Sequence, residues 1–187
     1  MTAPHPPVRI DHAVTKGTFT LDGQTFDVDN NIWVIGDDTE CVVIDAPHHV
    51  EDILRVVAGR TVTAILCTHA HDDHVRVAPE LSERTGAPIL LHPADQPLWT
   101  LTHSDRQWDT DLADGAEIIV GGTTLRVLHT PGHAPGAVCF HAPDLGCVFT
   151  GDTLFQGGPD ATGRSYSDYD DSTLHAGTIR ARLVIED

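Results

Sequence analysis

Three imidazoles and a carboxylate crowd into the run Thr68-His69-Ala70-His71-Asp72-Asp73-His74 of this 187-residue chain. The run follows a short apolar stretch, Thr63 to Cys67, that reads as a buried strand, and it leads into a segment with helical spacing. Alternate side chains of extended backbone face the same way, so His69 and His71 can reach one point. Asp73 and His74 come at the start of the next helix and aim at neighbouring space. Neutral imidazole and carboxylate oxygen are ligands for zinc, and also for iron or manganese. The arrangement suits two metal ions side by side at a strand-to-helix junction. Asp72 reads as a helix N-terminal charge favoured by the dipole and stays outside the donor set.

The rest of the chain alternates β-rich runs with helical patterns. Thr18 to Phe26 and Asn31 to Ile35 read as strands separated by Asp/Asn turn chemistry, and Cys41 to Ile44 as another that stops at Asp45-Ala46-Pro47. His48 to Ala58 has apolar residues at Val50, Ile53, Leu54 and Val57, a helical spacing that Gly59 closes. Asp73 to Arg84 reads as one helix ending before Gly86, Pro88 to Leu91 as a strand, and Pro93 to Thr100 as a helix. Strands follow at Glu117 to Val120, Thr123 to Leu128, Ala137 to His141 and Gly146 to Thr150. Gly157 to Asp171 is a Gly- and Asp-rich loop, and Leu174 to Arg182 a terminal helix. Strands at both ends with helices between them predict an α/β layered fold, and the absence of repeats or linkers predicts a single domain over 1–187.

Charge narrows the partners. A net charge of −17, from 28 acidic against 11 basic residues, repels phosphate backbones and anionic lipid, which disfavours nucleic acid and membrane partners. Small substrates and cations fit that field. Cys41, Cys67, Cys139 and Cys147 form no Cys-x-x-Cys pair and lie beside β-type residues, so they read as buried free thiols of a reducing cytoplasm. Met1 to Arg9 has neither a basic cluster nor an apolar run, and no signal peptide is expected.

Two further segments join the histidine run. Thr130-Pro131-Gly132-His133 presents a histidine on a Pro-Gly turn after a strand, and Gly151-Asp152 follows the strand Gly146 to Thr150 in the same way. Strand ends are where α/β folds usually place their chemistry. With these segments in view, the sequence resembles the metallo-β-lactamase-fold hydrolases, in their glyoxalase II-like branch. The resemblance rests on His69-x-His71-x-Asp73-His74, on Thr130-Pro131-Gly132-His133 and on Gly151-Asp152-Thr153-Leu154-Phe155, and it runs from about Asn31 to Tyr166. It implies a four-layer αββα sandwich with a binuclear metal site along one edge. By position, His69, His71 and His133 would hold the first metal, Asp73 and His74 the second, and Asp152 would bridge both. Arg164 and Tyr166, in the loop after Asp152, would approach the thiol-carrier part of the substrate.

One departure carries its own expectation. The family supplies a last histidine on a Gly-His turn beyond the Gly-Asp-Thr-Leu-Phe segment, and residues 153–187 contain no such turn. Only His175 remains there, inside a helical pattern. The expected domain is C-terminally shortened, with an incomplete second metal site.

A metal with an open position lowers the pKa of bound water from about 15.7 to about 7, giving hydroxide at neutral pH, and Asp73 would help orient it. A thiolate leaving group, with a pKa near about 8.5, needs little help from a general acid. No separate acid stands beside the motifs, so the favoured reaction is hydrolysis of a low-molecular-weight thioester at two Zn2+ ions. Two other readings remain. His69, His133 and Asp152 could hold one Fe2+ as in the persulfide dioxygenases of the same fold. A chain lacking its last ligand could also be a non-catalytic metal-binding relative.

Overall fold

The computed structural model describes residues 7–21, 23–155 and 158. The calls over Gly157 to Asp171 and Leu174 to Arg182, together with Arg164, Tyr166 and His175, lie wholly or almost wholly outside them. Two sheets and one layer of helices make up the described part. The first sheet has six strands in sequence order: β1 (Arg9–Leu21), β2 (Gln24–Gly36), β3 (Glu40–Ile44), β4 (Thr61–Leu66), β5 (Ile89–Leu91) and β6 (Thr110–Asp111). The second has four, in the order β10 (Cys147–Phe149), β9 (Val138–Ala142), β8 (Thr123–His129) and β7 (Glu117–Val120), all antiparallel.

β1, β2 and β3 are antiparallel, whereas β3, β4, β5 and β6 run parallel. Parallel neighbours need crossovers. These are α1 (Val50–Val57), the pair α2 (Asp72–Val75) and α3 (Ala78–Thr85), and α4 (Gln96–Thr102). Both faces of the parallel part are covered, which is why β3 reads Cys-Val-Val-Ile with no polar interruption. Its residues alternate between two cores. Cys41 and Val43 pack with Ile53, Ile65, Leu81 and Trp99 against the helices. Val42 and Ile44 pack with Leu66, Leu125, Val127 and Phe140 between the sheets.

Three element assignments from the sequence need correction. Thr18 to Phe26 is not one strand but the head of a hairpin: β1 begins at Arg9, and Gly23, at φ 74°, supplies the left-handed turn conformation. The Asp/Asn segment expected to turn between Phe26 and Asn31 lies inside β2. The helix expected over Asp73 to Arg84 is broken into α2 and α3, because Pro79 has no N–H to give to the carbonyl one turn back and its ring crowds that turn. The Val75 carbonyl that Pro79 leaves open lies 2.9 Å from His103 Nε2, and the Val77 N–H donates to the Ala46 carbonyl at 3.1 Å. At the end of α1 the left-handed cap is Ala58 (φ 55°), with Gly59 one residue beyond.

Candidate metal centre

The carboxyl ends of β3 and β4 point to the same rim as the ends of β8 and β10, and the site is assembled there from loops of both sheets. β4 ends at Leu66 and delivers His69 and His71; α2 carries Asp73 and His74. β8 ends at His129 and is followed by His133, while β10 ends at Phe149 and is followed by a single turn, Gly151–Thr153, that carries Asp152. Gly151 has to be glycine at that corner. Its φ is 49°, and a Cβ would come within 2.6 Å of the Thr68 hydroxyl.

Two groups of donor atoms result. His71 Nδ1 lies 3.0 Å from His69 Nε2 and 2.9 Å from His133 Nε2, so three ring nitrogens converge. The second group joins His69, His74 and Asp152. Asp152 faces both groups: Oδ2 is 3.6 Å from His133 Nε2 and 4.0 Å from His69 Nε2, while Oδ1 is 3.2 Å from His74 Nε2. Asp73 stands at the border of the second group, 3.7 Å from His74 Nε2. All six residues named as metal ligands in the sequence therefore meet at one rim. The two substrate-binding calls, Arg164 and Tyr166, fall outside the described residues.

The electrostatics suit cation binding. Burial, with His74, His71 and His133 close by, holds His69 well below the ordinary imidazole pKa. Burial and the same kind of neighbours push His71 down to about 4. Both rings are thus neutral at pH 7 and have lone pairs to offer. Burial would lower His74 too, but the carboxylates of Asp152 and Asp45 outweigh it and hold its pKa well above the ordinary value. Burial alone would raise Asp152; the charge and hydrogen bond of His74 prevail and lower it. His74 and Asp152 would hold a cation in the second group in place of the proton that these carboxylates favour on the ring.

Two residues outside the sequence-read set position these donors. Asp45 accepts the Nδ1–H of His74 at 2.9 Å, the Thr68 N–H at 2.7 Å and the Thr68 hydroxyl at 2.8 Å, which leaves His74 Nε2 turned toward Asp152. It does so from a left-handed backbone, φ 61°, a conformation that is uncommon outside glycine and clusters at functional sites. Asn30, inside β2, donates from Nδ2 to Asp73 Oδ2 at 3.0 Å, and its Oδ1 lies 2.8 Å from His48 Nε2. The sequence does carry a signal for Asp45, a lone carboxylate just past an all-apolar strand. Asn30 has none, because an asparagine among aspartates is the ordinary chemistry of a turn.

A cavity of about 350 Å3 opens beside His74 and Asp152, walled by Trp33, Ile44, Phe149, Leu154 and Phe155. Of the three tryptophans, Trp33 lines this cavity, Trp99 lies fully in the helix-side core and Trp108 packs against that core. Asp72, kept outside the donor set, is ion-paired with Arg76 one turn on, at the head of α2.

Comparison with known proteins identifies the family and the fold. The family model described as metallo-beta-lactamase superfamily matches residues 25–185. A hydroxyacylglutathione hydrolase from Idiomarina loihiensis is 35% identical over 138 residues, which cover 72% of this chain and 50% of that enzyme; the chain spans about half of its length. Among solved structures, the B3 metallo-beta-lactamase BLEG-1 has a TM-score of 0.69 at 26% identity, covering 91% of this chain and 85% of that one. TTHA1623 in a di-iron-bound form has a TM-score of 0.67 at 29% identity, covering 84% and 82%. The fold is the metallo-β-lactamase fold. The two sheets and the helical layer are the described part of its sandwich, and the chain belongs to the metallo-beta-lactamase superfamily of metallo-hydrolases.

Proposed function

We propose that the chain hydrolyses the thioester of a low-molecular-weight thiol at a binuclear metal centre, with His69, His71 and His133 holding one ion, Asp73 and His74 the other, and Asp152 between them. The observation that carries the reading is the Asp152 carboxylate, with one oxygen toward each group. Neutral, buried imidazoles within reach of one another are the donor set that a divalent ion needs. A divalent ion there would supply Lewis acidity and acidify a water.

The chain's own groups supply the remaining steps. Asn30 fixes the Asp73 carboxylate, which orients the attacking water and takes its proton. Asp45 holds the Nδ1–H of His74, so Nε2 is the nitrogen presented toward Asp152 and a metal ion. The thiolate leaves unassisted, since its conjugate thiol has a pKa of about 8.5 and needs little help from a general acid. An amine leaving group would need that acid. The likeness to hydroxyacylglutathione hydrolase supports a thioester in particular. In this reading Arg164 and Tyr166 contact the thiol carrier, the guanidinium through a carboxylate of the substrate.

Zinc is the proposed metal. Iron has one specific support, the likeness to the di-iron form of TTHA1623. The two are separated by supplying acyl thioesters of glutathione and of coenzyme A to purified protein and following free thiol, metal content and oxygen together. Thiol release that stops with a chelator and returns with zinc is the expected result. Oxygen uptake with glutathione persulfide by an iron-bearing protein, without thiol release from any thioester, would overturn the proposal.

A further inference from the structure

Asp95 is a fully buried carboxylate that the proposed reaction does not use. It stands directly before α4, where an aspartate ordinarily caps the helix with its side chain, yet it makes no such bond. Its two oxygens turn instead to two loops far apart in sequence. Oδ2 accepts the N–H of Ala70 at 2.9 Å, and Oδ1 accepts the N–H of Gly136. Ala70 lies between His69 and His71, and Gly136 lies three residues beyond His133. One carboxylate thus joins the two loops whose three ring nitrogens make the first donor group.

The contact is close and built. A Cβ on Gly136 would lie 2.7 Å from Asp95 Cγ and 2.8 Å from its Oδ1, so only glycine lets the second loop approach. The strands behind the loops are already fastened where the Val138 N–H meets the Thr68 carbonyl at 2.8 Å. Asp95 fastens them again, closer to the histidines. Burying a carboxylate is costly, and an apolar side chain would fill the space more cheaply. That cost appears in Asp95 itself, whose pKa burial pushes up to about 6 against the pull of the two amide bonds. Charge-assisted bonds to amides are short and directional, which apolar packing is not.

We propose that Asp95 is a positioning residue that sets the spacing of His69, His71 and His133, and with it the affinity and geometry of the first metal ion. The inference rests on the reading of these histidines as metal ligands.

Cobalt(II) titration of the metal-stripped full chain tests it, read by the visible d–d spectrum alongside the thermal unfolding of the metal-free protein. Asp95→Asn keeps the size but turns an amide N–H toward one of the loop donors. It should weaken cobalt at the first group about 10- to 100-fold and alter its spectrum, with a smaller change at the second group, which shares His69, since partners that orient ligands typically carry effects of that size. Gly136→Ala presses on the same carboxylate from the other loop and carries the same expectation, which decides the matter should Asp95→Asn fail to fold. Wild type that binds cobalt, with variants that lose only thermal stability and keep its affinity and spectrum, would overturn the role of Asp95 alone. Wild type that takes up no cobalt would overturn the metal reading beneath it.

Discussion

At the scale of single residues, Asp152 is the most exposed to test, because both donor groups lean on it. Asp152→Ala should lower occupancy of both ions together; loss of one ion with the other fully retained, by elemental analysis, would contradict a shared ligand. Three of the four cysteines behave differently, as ordinary core; Cys147, expected to be buried, is only half-buried and lines the cavity. Burial pushes the Cys41 thiol up to about 11. The neutral thiol is therefore favoured in the fold: its contribution to stability is whole below the ordinary thiol pKa near about 9 and fades as pH rises through about 11. Cys41, Cys67 and Cys139 are all buried, and at pH 8 they should resist an aromatic disulfide reagent until denaturant is added. Rapid native labelling of these three would be against the account. His69, His71, Asp73, His74, His133 and Asp152 were legible in the sequence because metal donors come in few residue types and sit at strand ends. Asn30 and Asp95 were not, and Asp45 only as a lone carboxylate past an apolar strand. Each acts on a partner far along the chain, through an amide or a ring nitrogen, and their residue types are equally at home in turns and caps.

At the scale of elements, legibility followed the strength of local chemistry. The α1 pattern of Val50, Ile53 and Val57 placed its helix within a residue or two, and β7, β8, β9 and β10 lie close to their predicted spans. The long hairpin was misplaced because its outer strand is half exposed and reads as polar, with residues such as His12, Lys16 and Thr20 in the open. The break between α2 and α3 was written in Pro79, but the apolar spacing through Val77 and Leu81 ran on across it. α4 follows directly on Asp95, and it is pinned by Trp99, fully buried, whose Nε1–H donates to the Arg106 carbonyl at 2.5 Å. Trp99→Ala should cost about 3–5 kcal/mol in denaturant unfolding, the usual range for emptying a core aromatic site. Leu101, two residues on and 83% exposed, sets the contrast; Leu101→Ala should stay within about 0.5 kcal/mol. Equal losses at the two positions would mean that α4 is not seated as described.

For the whole molecule, the decisive feature is where the layers end. Parallel strands β3 and β4 release their carboxyl ends on the rim that the second sheet reaches with β8 and β10, so residues as distant as His69 and Asp152 meet. This is the general logic of α/β folds, in which chemistry gathers outside the carboxyl ends of the strands. The net charge of −17 gives the chain a field that favours cations over polyanions. Among the described residues no helix is long and apolar enough to cross a membrane. The claim that carries everything else is that this rim holds two metal ions around one shared carboxylate. Elemental analysis of the purified chain, expressed with zinc and iron both supplied, tests it most directly. About two ions per chain are expected, as in other two-metal hydrolytic sites; a folded chain that retains no metal would contradict the account.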